Sequence, residues 1–306
     1  GVQPHQIAPA TMNIHRRHFL KTSALGVTGL ALAPRLRAET PRLSAFDTVT
    51  LGRTGIKTSR VSMGTGVSGG NRQSNHTRMG ADNAHRLIRE IYERGVRSFD
   101  LADLYGTHPL IPSALEGVPR DRYMLISKIW WAPGGIPEKE RPDADVVVSR
   151  FCKELKTDYI DLVLLHCVTS GEWNKELARQ MEILETLKRK GMIRAHGVSC
   201  HSLPALKAAL DEPWVESVHA RINPYQLHMD GTTEEISEVL RQFRARGKGV
   251  VGMKIIGEGK LRNDEEKKTT SIQYAWANKL VDMVTVGFEK TAELDDFAQR
   301  LRGTPV

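Results

Sequence analysis

The chain has 306 residues, 40% of them hydrophobic, and a formal net charge of +8. That length can bury a large core, and barrels of roughly 250 residues form single domains. Five of the 44 basic residues fall within 1–38, where there is no acid, and the remaining 39 face 36 acidic residues with no dense Lys/Arg stripe, so a nucleic-acid partner has no support.

The first element in chain order reads as a targeting signal. Arg16-Arg17-His18-Phe19-Leu20-Lys21 precedes a weakly apolar stretch, Thr22 to Ala33, and then Leu36-Arg37-Ala38. This pattern resembles a bacterial twin-arginine export signal, with Met12 four residues upstream of Arg16 and residues 1–11 an over-extended start. The apolar stretch is shorter than the about 20 residues a membrane span needs. The expectation is a signal over 1–38, removed after Ala38, and a protein that is exported already folded by the twin-arginine machinery. Its destination is the periplasm or the medium, with no stable membrane anchor after cleavage. The competing reading is an amphipathic helix packed on the domain. Three cysteines, Cys152, Cys167 and Cys200, make an odd set and argue against a disulfide framework.

From Phe46 onward short apolar runs alternate with longer amphipathic ones. Thr48–Leu51 and Ile56–Ser59, joined by Gly52-Arg53-Thr54-Gly55, read as a β-hairpin. Strands are predicted at Val61–Gly64, Arg97–Asp100, Tyr123–Lys128, Tyr159–His166, Ala195–Ser199, Ser217–Asn223, Val250–Lys254 and Met283–Gly287. Helical periodicity covers 82–94, 144–156, 174–190, 204–210, 233–246, 265–278 and 291–302. Eight strands alternating with helices predict an α/β fold, a (β/α)8 barrel with an N-terminal hairpin, over 46–306. An open doubly wound sheet competes, because Gly64-Thr65-Gly66-Val67-Ser68-Gly69 matches a dinucleotide fingerprint. That fingerprint requires a helix to start at once, whereas Gly70 to Asn75 reads as loop, so the barrel is preferred.

Four polar residues stand where strands end: Asp100, Tyr105, Lys128 and His166. A tyrosine is a poor acid near neutrality, and a neighbouring ammonium is expected to lower its pKa while an aspartate holds that ammonium charged. A histidine can then orient a carbonyl oxygen, a combination suited to proton-coupled redox chemistry at a carbonyl or alcohol carbon. Singly, each fits a structural role: helix cap, rim aromatic, surface ion pair, core histidine. All four in this order point to function.

The motifs carrying these residues resemble the aldo-keto reductase family over Phe46–Arg302. LGRTGIKTSRVSMGTG, FDLADLYG, GMIRAHGVSCHS, GVVGMKIIGEGKL and TVGFEKTAEL follow one another as that family's hairpin, catalytic tyrosine, nicotinamide and phosphate segments do. The resemblance implies hydride transfer between NADPH and a carbonyl or alcohol, with Tyr105 as general acid or base, Lys128 and Asp100 tuning it, and His166 orienting the substrate oxygen. Cofactor contacts are then expected from Ser199, Cys200, Arg221, Met253, Lys254, Gly287, Lys290 and Thr291. A small carbonyl or alcohol, with sugars among the candidates, is the expected substrate.

Departures cluster around the cofactor. Cys200 stands where the family has Asn, Met253 ends a strand where an aromatic is usual, and Arg221 takes the place of a glutamine. Glu293 replaces an Arg or Gln and Phe297 an Asn, which makes NADH a rival to NADPH, since a carboxylate repels a 2′-phosphate. A non-catalytic, nucleotide-binding, redox-responsive module is the alternative function. His166-Cys167 with Cys200-His201 offers zinc-type ligands. Consecutive strand residues face opposite ways, so no metal site is expected.

Overall fold

The computed structural model describes residues 42–305; the expected export signal at 1–38 lies outside them. A hairpin of β1 (Thr48–Thr50) and β2 (Lys57–Ser59) comes first. Its turn places Leu51 and Ile56, both wholly buried, against Met124, Ile126, Leu162, Leu164, Ala195, Val251 and Met283. The hairpin thus plugs one end of the fold. Gly52 makes the close approach possible, because at its φ of +48° a Cβ would sit 2.3 Å from the Gly249 nitrogen.

Eight parallel strands follow: β3 (Val61–Gly64), β4 (Ser98–Asp100), β5 (Met124–Trp130), β6 (Ile160–Val168), β7 (Ile193–Cys200), β8 (Ser217–Arg221), β9 (Gly249–Met253) and β10 (Met283–Val286). They pair in chain order and β10 returns to β3, closing the barrel. The helices between them are α1 (Asn75–Arg78), α2 (Ala81–Arg94), α3 (Leu110–Ala114), α4 (Ala144–Leu155), α5 (Trp173–Glu176), α6 (Ala178–Arg189), α7 (Leu203–Asp211), α8 (Thr233–Ala245), α9 (Glu265–Ala277) and α10 (Thr291–Leu301). Each strand and helix predicted from the hydrophobic pattern is present. The predicted helix over 174–190 is broken at Leu177, whose φ of −107° ends α5 and starts α6. There the buried Trp173 donates from its indole to the Ala205 carbonyl at 3.1 Å, tying α5 to α7. The glycine-rich stretch 64–69 runs into loop, and α1 begins only at Asn75.

Two apolar layers result from strand alternation. Met124 and Ile126, Leu162 and Leu164, Ala195 and Val251 fill the barrel interior. Phe99, Leu125, Ile129, Val163, Leu165, Val198, Val218 and Ala220 face the helices. Continuing the inward parity along each strand reaches Asp100, Lys128, His166, Ser199, His219, Arg221 and Met253 at or near the C-terminal ends. Strand period alone therefore stacks the polar candidates over one apolar plug.

Candidate active site

Asp100 ends β4, and the chain turns at once into a 3-10 helix, Asp103–Tyr105, that swings Tyr105 back over the barrel mouth. Gly106 stops the turn at φ +68°, where a Cβ would lie 2.0 Å from the Arg72 carbonyl oxygen. The turn is also held from outside: Asp103, 5% exposed, pairs with Arg72 at 3.1 Å and with Arg150 of α4 at 2.6 Å. Gly66 lies on the Tyr105 ring, a Cβ there falling 2.3 Å from its Cζ. Any side chain at 66 would displace the phenol.

Lys128 is 1% exposed, and its ammonium donates to an Asp100 carboxylate oxygen, to the Leu101 carbonyl at 2.8 Å and to the Tyr105 hydroxyl at 3.5 Å. Three N–H groups thus have three acceptors. The other Asp100 oxygen accepts from His219 Nε2 at 2.7 Å. His166 is buried, with Tyr105 edge-on to its ring at 5.6 Å and Trp130 at 5.3 Å. The four expected catalytic residues are therefore assembled, and His219 joins them.

The electrostatics follow from burial and from the Lys128 charge. Burial alone would raise the Asp100 carboxyl, but Lys128 and His219 hold it well below the usual carboxylate range. Burial works against the Lys128 charge and Asp100 more than offsets it, so the ammonium's pKa is raised. Burial also raises the Tyr105 pKa, with Lys128 opposing. This corrects the expectation of a net lowering: the ammonium is present, but dehydration of the phenolate outweighs it. Burial, with Lys128 adding to it, pushes His166 well below its ordinary value, leaving a neutral imidazole.

The expected cofactor residues divide. Ser199 ends its inward run wholly buried, and its Oγ accepts the Cys167 N–H at 2.8 Å, leaving its own proton to donate. Met253 ends β9 and Lys254 follows it, and Gly287 follows β10, where a Cβ would strike Val67 Cγ2 at 2.1 Å. Lys290, exposed, and Thr291 open α10, whose N-terminus has no side-chain cap. Cys200 is a correction: one residue past inward-facing Ser199, it points into the core between β7 and the helices and has no exposed surface. Arg221 is another. Its guanidinium pairs with Asp230, and the strand register sets His219 rather than Arg221 beside Ser199. Lys254 pairs with Glu258. Phe297 is buried edge-on to Phe288 at 5.8 Å, so that position serves packing.

The four residues with zinc-type side chains are also divided between two faces. Cys167 Sγ lies 3.5 Å from His201 Nε2, whereas Cys200 faces the outer core, and among the described residues no cluster of three or more His, Cys, Asp or Glu could hold a metal. Sequence reasoning passed over His219 because its partner, Asp100, is 119 residues away. Its one signal was inward parity on β8.

A closed (β/α)8 barrel with an acid–base cluster at the C-terminal strand ends has the layout of a barrel enzyme. The model of the aldo/keto reductase family matches residues 60–305, and the chain belongs to that family of oxidoreductases. It is 23% identical over 281 residues to an L-galactose dehydrogenase of Arabidopsis thaliana, covering 80% of this chain and 85% of that one. It is 27% identical over 198 residues to the methylglyoxal reductase DkgA of Yersinia pestis, covering 62% and 68%. The fold is shared with an aldo/keto reductase from Klebsiella pneumoniae solved with NADP and acetate, at TM-score 0.60 and 17% identity over 85% of this chain and 91% of that one.

Proposed function

We propose that the protein interconverts a carbonyl (aldehyde, ketone or sugar) and its alcohol with an NADPH cofactor, Tyr105 serving as general acid and base. The observation that carries this is the Lys128 ammonium, wholly buried and shared between Asp100 and the Tyr105 hydroxyl beside a neutral histidine. The residues present fit a nicotinamide dinucleotide: Ser199 has a free hydroxyl proton, Met253 is half-buried at a strand end, and α10 begins uncapped beside Lys290. Ser199, Met253, Lys254, Gly287, Lys290 and Thr291 would hold it. Bound there, the nicotinamide supplies or accepts the hydride.

The protein's own part is proton management. Tyr105, its pKa raised by burial, keeps its proton until the carbonyl oxygen gains negative charge and takes it. Lys128 then stabilises the phenolate left behind, and Asp100 keeps Lys128 in place. His166, uncharged, hydrogen-bonds the substrate oxygen without competing for the proton. The relatives named for L-galactose and methylglyoxal support a small carbonyl or sugar, and Trp130 beside His166 offers a flat wall for one. Rapid-mixing oxidation of enzyme-bound NADPH by a panel of such carbonyls tests the reading. A bound nucleotide inert to every carbonyl would favour a non-catalytic, nucleotide-binding module instead.

Cofactor choice turns on the start of α10. Glu293 accepts the Glu289 N–H at 2.9 Å, which holds its carboxylate next to exposed Lys290. Glu293→Gln is expected to tighten NADPH by about two- to fivefold, the scale of a surface charge interaction, and to leave NADH unchanged. Fluorescence titration reads both, and an equal shift for the two nucleotides would remove Glu293 from 2′-phosphate discrimination.

The twin arginines support export of the folded protein to the periplasm or medium. Replacing Arg16 and Arg17 together by lysine should strand the protein in the cytoplasm, as cell fractionation would show. Export that survives the change would refute that route.

A further inference from the structure

His219 has no part in the catalytic scheme above, yet it is wholly buried and touches its centre. The barrel order sets β8 four strands from β4 in a ring of eight, so the two lie on opposite walls. The imidazole reaches across the lumen, and its Nε2 meets the Asp100 carboxylate at 2.7 Å. Asp100 is an acceptor on both oxygens, so Nε2 carries the hydrogen. Nδ1 is then a bare nitrogen, buried and without a hydrogen-bond partner. Burying an unsatisfied nitrogen is unfavourable, and an apolar residue would fill the same layer without that cost. The single polar service of this ring is to Asp100.

That service has a geometric consequence. Asp100 is 2% exposed and rests on two donors, Lys128 on one oxygen and His219 on the other. Lys128 in turn has each N–H assigned, one of them to Tyr105. We propose that His219 is a positioning residue: it fixes the Asp100 carboxylate from the far wall, so that the opposite oxygen holds the Lys128 ammonium under the Tyr105 hydroxyl. The inference rests on the reading of Tyr105 as the general acid and base. The titratable groups acting on the imidazole are Asp100 on β4, Lys128 on β5 and the neutral His166 on β6, and its strand neighbour on β7 is the uncharged Ser199.

Loss of the donor leaves the carboxylate more basic. The ammonium proton is then drawn toward Asp100, its field at the phenol weakens, and phenolate forms less readily. Alcohol oxidation needs phenolate, so its rise with pH should move to higher pH. His219→Leu removes the donor at similar volume, whereas His219→Gln restores an N–H near the same place. The expected result for the leucine variant is a kcat about 10- to 100-fold lower, the scale of one charge-assisted hydrogen bond. Its oxidation profile should shift upward by about one pH unit, the same interaction read on the phenol, with nucleotide affinity unchanged. The glutamine variant should recover most of both.

The inference is overturned if leucine and glutamine variants keep wild-type kcat and pH profile. It is equally overturned if both lose activity to the same extent with no profile shift, which is what simple packing damage gives. Circular dichroism and a thermal melt on each variant show whether it is folded. Tyr105→Phe in the same assay separates the two levels. An active phenylalanine variant defeats the reading of Tyr105 itself. An inactive one beside an unperturbed His219→Leu defeats only the role of His219.

Discussion

Tyr105→Phe is expected to lower kcat for carbonyl reduction by about 10²- to 10⁴-fold, the range that a positioned proton donor contributes. The substitution is structurally mild. The ring remains under Gly66 and edge-on to His166, and the one contact removed is the 3.5 Å hydrogen bond from Lys128. Stability should therefore change by no more than about 1 kcal/mol. His166 cannot stand in for the phenol, because burial and Lys128 hold its imidazole neutral well below its ordinary pKa. The wild-type pH dependence follows from the raised Tyr105 pKa. Reduction needs the protonated phenol, so its kcat should be flat through neutrality and fall only as pH rises past the ordinary tyrosine value of about 10. Oxidation needs the phenolate and should rise across the same alkaline range. Steady-state kinetics of both directions, with a thermal melt as control, check these signs. A phenylalanine variant within tenfold of wild type would sink the assignment.

The barrel was legible because each of its strands is a short apolar run and each long helix has an apolar face of period 3.6. The ends of strands were legible because a polar residue interrupts each run: Asp100, Lys128 and His166. Direction along a strand was used unevenly. Alternation argued against a shared zinc site, yet the same rule already turns Cys200 away from Ser199 and into the outer core. The helix break at Leu177 depends on a Trp173 indole bonded to α7, a tertiary contact that periodicity does not encode. The short helices α1 and α3 carry too few residues for a period to show. For Tyr105, the charge of Lys128 is visible in the chain but the depth of burial is not, and depth decides the sign of the shift. His219 needed the ring of strands closed before its partner could be seen.

The second large effect concerns Lys128, where stability and catalysis can be taken apart. Lys128→Met leaves the Asp100 carboxylate, 2% exposed, with His219 as its one remaining side-chain partner. Removing one member of a buried ion pair costs about 3–5 kcal/mol, because the surviving charge is left uncompensated. Turnover should fall with it, since no cation remains to stabilise the Tyr105 phenolate. The pH dependence of the loss has a definite sign. In the wild type, Asp100 has a folded pKa far below its unfolded value, so its contribution is present above about pH 4 and is lost only as pH falls through the folded value. Without Lys128, burial should outweigh the remaining His219 contact and lift the carboxyl, so the folded variant is expected to gain relative stability as acid protonates it. The deficit measured by urea unfolding should accordingly be smaller at pH 5 than at pH 8. Adding Asp100→Asn removes the orphan charge and should restore a large part of the stability at pH 8, while activity stays lost. A double variant as unstable as Lys128→Met would show that packing, not the stranded carboxylate, sets the cost; a double variant that regained turnover would show that the phenol does not depend on the ammonium beneath it.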